Sequence, residues 1–187
     1  MKAIRLLLVS VSVSVSVLVS VLVLCLSSST VVASEKSDRN SVINQTYPQA
    51  QAEIEETFGA IAESIVRGAG KGADSKYMDR LISFHAYGPK FIEFNDGELL
   101  YSEDNELNER TLFGTVVDEG GVEKFAYQPG TFNIAVYYGN VANVTFISDF
   151  ELRIGGVLHP VKNLITLLFV KTKGEWKMVH EHHSPAN

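Results

Sequence analysis

The sequence predicts an α+β domain in which about three helices precede a large antiparallel sheet. Between residues 47 and 117, apolar side chains recur mostly at spacings of three and four, which is typical of amphipathic helices. From residue 123 onward, apolar and β-branched residues form five runs separated by glycine-containing turns, which is typical of strands. The chain has 187 residues, enough for one such domain with a sizeable core.

The first helix is predicted to begin near Pro48 and to end at residues 68–70, because proline suits a first turn and glycine ends a helix. Its glutamates lie mostly away from its apolar face, so one side should be buried. The apolar face consists of Ile54, Phe58, Ile61 and Ile65.

Two further helices are predicted on either side of a short strand at residues 91–94. The second helix is capped by Asp74, carries His85 at the end of its apolar stripe and stops at residues 88–89. The third begins at Ser102, where acidic residues would occupy the positive first turn, and runs to about Val117.

Five strands are predicted after the helices. Both faces of the fourth are apolar, since Ile165 and Phe169 face one way and Leu164 and Leu168 the other. Such a strand needs cover on each face of its sheet. Helices can cover one face, and we expect a second copy of the chain to cover the other. The five strands are predicted at residues 125–128, 132–138, 142–153, 161–171 and 175–182.

Residues 1–33 have the features of a secretory signal peptide, namely two basic residues, an uncharged run of Leu, Val and Ser, and small residues before the cleavage point. An uncleaved membrane anchor is the alternative. We expect a flexible lead-in over residues 34–46 and a domain over residues 47–187. The domain should be secreted or periplasmic, without stable membrane association after cleavage.

The composition argues against several function classes. The single cysteine, Cys25, lies within the predicted signal peptide, so the exported domain would have neither a disulfide nor a thiol nucleophile. The chain carries 16 basic and 22 acidic residues, a formal net charge of -6. Without a cluster of Lys or Arg, we expect no nucleic-acid partner.

The C-terminal segment GEWKMVHEHHS places three histidines on the last predicted strand. Together with the helix pair over residues 52–86, the FIEF strand and the acidic third helix, it resembles the nuclear transport factor 2-like superfamily. The resemblance spans residues 47–184 and is to the SnoaL-like members in particular, and to the association domain of calcium/calmodulin-dependent protein kinase II. The motif residues are Gly174, Trp176, Val179, His180, His182 and Ser184.

The resemblance implies a cone-shaped, curved sheet wrapped around the helices, with a pocket inside and frequent dimerisation through the outer sheet face. Isomerases of this kind use two acids, but the comparable positions here are Phe94 and residues 164–166. Association domains use pocket arginines, where this chain has Ser148 and about Leu167. What remains suits a small, mostly apolar molecule. Function stays open because the fold hosts enzymes, binding modules and oligomerisation domains.

Alternation along the last strand predicts two sets of side chains on opposite faces. His180 and His182 can then share a site, and a general acid/base role is the catalytic hypothesis for them. Packed, hydrogen-bonded histidines are the alternative. If the other face lines the pocket, Glu181 and His183 become the candidates. One set is Trp176, Met178, His180 and His182, and the other is Lys177, Val179, Glu181 and His183.

Further polar residues are candidates for lining the pocket. Asp149 interrupts an apolar strand, and it would pair with a histidine if it faced inward or be solvated if it faced outward. A zinc site would need a third ligand besides two histidines, and we expect no metal and no cofactor. The candidates are His85, Tyr87, Glu93, Ser148, Asp149 and Trp176.

Three functions fit the sequence. The first is an exported, dimeric domain that binds a small, mostly apolar ligand in its pocket. The second is a SnoaL-like enzyme of the isomerase, cyclase or hydratase type that uses His180 or His182. The third is an oligomerisation scaffold whose pocket is filled by its own side chains. The size of the cavity, and whether a histidine and a carboxylate converge in it, distinguish the three.

Overall fold

A computed structural model of the protein describes residues 43–186, and those from Thr46 onward belong to one folded unit. The predicted signal peptide and residues 34–42 of the predicted lead-in lie outside the described residues. Among the described residues, no helix combines the length and the apolar character needed to cross a membrane.

Three helices and a large sheet make up this unit, which confirms the α+β class. The helices are α1 (Pro48–Gly68), α2 (Lys76–Ser83) and α3 (Ser102–Thr111), and a π-helical turn (Leu112–Val116) continues α3. The strands are β1 (Ile92–Asn95), β2 (Glu98–Tyr101), β3 (Val122–Tyr127), β4 (Asn133–Tyr137), β5 (Val141–Ile154), β6 (Val157–Val161), β7 (Asn163–Thr172) and β8 (Glu175–Pro185).

Helix α1 contributes its apolar face to the core. It begins at Pro48, as predicted, and Ile54, Ile61 and Ile65 on that face are buried. They belong to the same core as the inward side chains of β7, which include Phe169. The amphipathic pattern of the sequence therefore identified the buried side of this helix.

Helix α2 is shorter than predicted, and its cap is different. The hydroxyl of Ser75, rather than Asp74, accepts a hydrogen bond from a backbone N–H of the first turn. The helix ends at Ser83, so the prediction that His85 lies on its last turn is wrong. His85 instead forms an isolated parallel bridge with Met178 of β8, which anchors the histidine to the sheet.

The sheet runs in the order β2-β1-β8-β7-β5-β3, and β4 and β6 also pair with β5. The strands β2 and β6 complete hairpins that the sequence pattern did not reveal. The pairs are antiparallel except for β1 and β8, which are parallel. The antiparallel prediction is wrong at this pair, because no turn joins β1 to β8 and their relative direction depends on the path of the whole chain.

Strand β7 is covered on one face by the described part of the chain. On the inner face, Ile165, Leu167 and Phe169 are at most 5% exposed. On the outer face Leu164 is 49% exposed, and Leu168 is only half-buried. Cover on both faces was the sequence-based expectation, and among the described residues only the inner face is covered.

Candidate functional site

A cavity of about 70 Å³ lies between the helices and the inner face of the sheet. Most of its wall is apolar, and four ionisable side chains also line it: His85, Glu109, Glu181 and His183. Ionisable groups that converge in a buried cavity are uncommon outside functional sites. The apolar wall consists of Phe58, Ile61, Ile65, Leu81, Phe113, Phe125, Phe146, Phe150, Ile165, Leu167 and Met178.

A β-bulge in β8 decides which of its side chains reach this cavity. Leu168 pairs with His180, but Phe169 pairs with Met178, so Val179 is an extra residue in the strand. Such a residue reverses the alternation of side chains that follows it. Trp176 and Met178 are therefore buried ahead of the bulge, and Glu181 is buried after it.

The predicted alternation of faces along β8 is consequently wrong beyond Met178. Glu181 and His183 line the cavity, whereas His180 and His182 both contact the ring of Phe94, which is 44% exposed. The Nδ1 atom of His180 lies 2.9 Å from the carbonyl oxygen of Ile92. The structure thus places the two histidines proposed as acid/base groups away from the cavity wall.

Glu181 is the centre of a buried hydrogen-bonded chain. Its Oε1 accepts a hydrogen bond from Nε2 of His85 at 2.8 Å, and its Oε2 accepts one from Nε2 of His183 at 3.3 Å. Nδ1 of His85 lies 3.1 Å from the carbonyl oxygen of Leu81, which orients the ring. A histidine and a carboxylate therefore converge in the cavity, as the enzyme hypothesis requires.

The electrostatics of this chain favour the charged forms. Burial opposes ionisation of Glu181, but the hydrogen bonds and charges of His183 and His85 outweigh it and hold the pKa of this carboxyl well below its usual range. Burial alone would lower the pKa of each histidine, yet the bond to Glu181 raises the pKa of both His85 and His183. The three groups thus stabilise each other's charge.

Glu93 lies beside this chain in a second set of buried polar groups. Its Oε2 accepts a hydrogen bond from Nδ2 of Asn105 at 2.6 Å, and the hydroxyl of Tyr87 donates to Oδ1 of Asn105. Asn105 Nδ2 also lies 3.4 Å from Glu181 Oε1, so it joins the two carboxylates. Burial and the charge of Glu181 raise the pKa of Glu93.

Glu109 enters the cavity from the last turn of α3. Burial, together with the negative charge of Glu181, raises the pKa of this carboxyl to about 8, so it is mostly protonated at neutral pH. The π-helical turn that follows places Phe113 in the cavity wall as well. Turns of this kind often occur at functional sites, because they break the regular helical spacing of side chains.

Three of the predicted pocket residues lie elsewhere. Ser148 is fully buried, but its hydroxyl hydrogen-bonds backbone groups. Asp149 forms an ion pair with Lys124 at 2.6 Å, which is the outward alternative. The indole N–H of Trp176 donates to Glu53 at 3.0 Å. His85 does line the cavity, and Tyr87 and Glu93 form the polar layer beside it.

Sequence reasoning missed Asn105 and Glu109. They are four positions apart on α3, so they share one face of the helix, and both are buried. The helix is so polar that it has no apolar stripe to identify its buried side. No local pattern in the sequence of this helix indicated that these two side chains would be buried.

The sequence profile of the SnoaL-like domain family matches residues 72–187, which is more than half of the chain. The chain belongs to the SnoaL-like domain family. The family resemblance seen in the C-terminal motif is thereby confirmed. No curated protein sequence matches this SnoaL-like chain significantly.

Several solved structures have a fold similar to that of this chain. A nuclear transport factor 2-like protein from Salmonella enterica is 19% identical, with a TM-score of 0.59 over 75% of this chain and 94% of that one. A candidate dehydratase of the same superfamily from Streptomyces avermitilis is 16% identical, with a TM-score of 0.57 over 75% and 99%. The kinase II hub homology domain of Chlamydomonas reinhardtii is 17% identical, with a TM-score of 0.56 over 74% and 99%. At these identities the likeness shows the fold alone.

Proposed function

We propose that this SnoaL-like domain is an enzyme that transfers protons to and from a small, mostly apolar substrate in its cavity, as an isomerase or a dehydratase does. The observation that carries the proposal is the meeting of the His85–Glu181–His183 chain and the separate carboxyl of Glu109 in an otherwise apolar wall. Buried ionisable groups destabilise a fold unless they are paired. Their concentration beside an open cavity favours an enzyme over a scaffold with a filled interior.

His183 acts as the proton acceptor in this proposal. In the neutral form of the ring, Nε2 donates to Glu181 and the lone pair is on Nδ1, which no described residue hydrogen-bonds. Because Glu181 raises the pKa of His183, the fraction of this neutral form increases as the pH rises. Glu181 is held in turn by His85, at 2.8 Å. A buried carboxylate that orients an imidazole, and stabilises the imidazolium that forms, is an arrangement that makes histidine an effective base.

Glu109 acts as the proton donor. Its carboxyl is mostly neutral near pH 7 and lies in the same wall as His183. A neutral carboxylic acid can protonate a leaving hydroxyl while the base removes a proton from the neighbouring carbon. In such a dehydration a C–H and a C–O bond break, a C=C bond forms and water leaves. His183 takes the proton of the C–H bond, and Glu109 gives its proton to the leaving hydroxyl, so the number of protons is unchanged.

The size of the cavity limits the substrate. An engineered apolar cavity of about 150 Å³ binds benzene, so the 70 Å³ observed here holds the equivalent of about three heavy atoms. A larger substrate requires movement of the aromatic wall, which includes Phe113 and Phe146. The candidate dehydratase from Streptomyces avermitilis has a similar fold, which supports this class of reaction for the proposal without defining the substrate.

Hydrogen–deuterium exchange tests the proposal without knowledge of the natural substrate. Purified protein is incubated in D₂O with small ketones, enals and secondary alcohols of about four to six heavy atoms. Compounds of this size exceed the resting cavity, so their entry requires the movement of the aromatic wall described above. Deuterium uptake next to the carbonyl, or loss of the hydroxyl, is followed by proton NMR. We expect uptake or dehydration of at least one compound, and we expect His183→Gln and Glu109→Gln to slow it by about 100-fold or more.

Asp149→Asn is the matched control, since it removes a carboxylate that pairs with Lys124 on another part of the sheet. It should leave the rate unchanged. Rates equal to buffer for every compound, or wild-type rates in both cavity variants, would contradict the proposal.

We also propose that a second copy of the chain covers the outer sheet face. Phe94 and Leu164 are 44% and 49% exposed there, and the fold is shared with the hub homology domain of Chlamydomonas reinhardtii. Light scattering during gel filtration should show a dimer, and Leu164→Lys should shift it to monomer. Leu107→Lys, at a 67% exposed leucine of α3, is the control and should remain dimeric.

Export completes the proposed function. The charge and apolar pattern of residues 1–33 supports removal of this segment during secretion. N-terminal sequencing of the protein from the medium or periplasm should find Ser34 first. Recovery of an intact N-terminus in the membrane fraction would support the anchor alternative instead.

A further inference from the structure

Three side chains beside the cavity, two of them buried carboxylates and the third the partly exposed His183, bring potential metal-ligand atoms together. One oxygen of Glu93, one oxygen of Glu181 and one nitrogen of His183 all lie within 4.8 Å of one another. Nε2 of His183 is 3.3 Å from Glu181 Oε2 and 4.0 Å from Glu93 Oε1. We propose that Glu93, Glu181 and His183 bind a divalent transition-metal ion such as Zn²⁺ or Mn²⁺, in contrast to the expectation from sequence.

The strongest indication of a ligand is the state of Glu93. Its side chain is 1% exposed, and its Oε1 has no hydrogen-bond partner among the described residues. A buried carboxylate oxygen without a partner is costly, because it has lost its water without gaining a replacement. This oxygen faces Nε2 of His183 at 4.0 Å, and a cation between them would satisfy it.

The distances suit a small ion. Zinc lies about 2.0–2.2 Å from histidine nitrogen and carboxylate oxygen. Two ligands at that distance are therefore about 3.0 Å apart in an octahedral site and about 3.4 Å apart in a tetrahedral one. The separations of 3.3 and 4.0 Å from His183 Nε2 are close to these values. The two carboxylate oxygens lie within 4.8 Å of each other, so Glu93 would move inward when an ion binds.

The groups behind these side chains resemble the outer shell of a metal site. Each carboxylate presents one oxygen to the shared space, and a buried donor holds the other. His85 Nε2 binds Oε1 of Glu181 at 2.8 Å, and Asn105 Nδ2 binds Oε2 of Glu93 at 2.6 Å. Outer partners of this kind orient the ligands of metal centres and raise affinity. The cavity beside them has room for water as a further ligand.

This inference goes beyond the proposed function, and it can be tested without any substrate. In the metal-bound form His183 is a ligand, so a metal-bound water would replace it as the proton acceptor. Metal binding without turnover would leave the inference intact and refute only the proposed function. Turnover together with absence of metal binding would refute the inference and leave the proposed function intact.

Calorimetric titration of the purified protein with Zn²⁺ and with Mn²⁺ is the first test. We expect one ion per chain, and we expect Glu93→Gln to weaken binding by at least about 100-fold. Glu109→Gln removes a carboxylate that lines the cavity but is not a proposed ligand. This variant should therefore bind the metal ion with nearly the affinity of the wild type. Absence of binding, or equal losses in both variants, would overturn the inference.

X-ray absorption of the zinc-loaded wild-type protein is the second test, and it does not depend on the folding of a variant. We expect one imidazole and oxygen ligands at about 2.0–2.2 Å. The competing site is His180 with His182, which share the outer face. Two imidazoles, or loss of binding in the His180→Gln/His182→Gln double variant, would assign the ion to that face and overturn the inference.

Discussion

Replacing Glu109 by glutamine should change how the stability of the protein depends on pH. Burial and the charge of Glu181 raise the pKa of Glu109 from 4.5 to about 8. Between these values the folded state keeps a proton that the unfolded state has released, so the free energy of unfolding falls as the pH rises. The slope is at most about 1.4 kcal/mol per pH unit, and the loss across the window is at most about 5 kcal/mol.

Glutamine has nearly the shape of protonated Glu109 but does not titrate. The Glu109→Gln variant should therefore gain stability relative to the wild type as the pH rises from about 5 to about 8. Urea unfolding at several values in this range measures the difference, and the change with pH excludes any constant cost of burying the amide. Glu103→Gln, at an exposed carboxylate of the same helix, should follow the wild type. Parallel profiles for wild type and Glu109→Gln would refute the reasoning.

Further predictions concern packing and backbone. Gly70 has a φ of +68°, and a Cβ there would collide with the backbone of Glu119, so Gly70→Ala should cost more than about 1 kcal/mol. Gly72 also has a positive φ, but a Cβ there would have no atom within 4 Å, so Gly72→Ala should lower the stability less than Gly70→Ala does. Thermal unfolding compares the two variants, and equal losses of stability would show that the collision with Glu119 is not the cause. Ile165 is 4% exposed and lines the cavity, so Ile165→Ala should cost about 2–5 kcal/mol in urea unfolding. The enlarged cavity of Ile165→Ala should also bind larger apolar compounds, which would raise its melting temperature in a thermal-shift assay. If the same compounds stabilise the variant and the wild type, Ile165 does not line the ligand cavity.

The sequence predicts those parts of the fold that depend on local pattern. The apolar spacing of α1 and its start at Pro48 are local, and both are found in the structure. The parallel pairing of β1 with β8 joins segments that are far apart in the chain, and no local signal describes it. The early end of α2 has the same origin, because backbone bonds to Met178 hold the segment around His85 against the sheet.

The candidate site was predicted less completely than the fold. His85, Tyr87 and Glu93 were identified from chemistry and position, and they lie in or beside the cavity. The choice between the two faces of β8 was left open, because it depends on the bulge at Val179. Glu109 was missed, because a helix without an apolar stripe does not show which side will be buried.

The extra residue in β8 affects how relatives should be aligned with this chain. The last inward apolar side chain, Met178, and the first inward carboxylate, Glu181, are three positions apart instead of two. If an alignment places the extra residue one position away from Val179, His182 is matched with a histidine that faces the cavity in a relative. A role known for that histidine would then be assigned to His182 instead of His183. Homologues are therefore better compared by matching Trp176 and Met178 before the bulge and Glu181 and His183 after it, with any difference in length assigned to Val179.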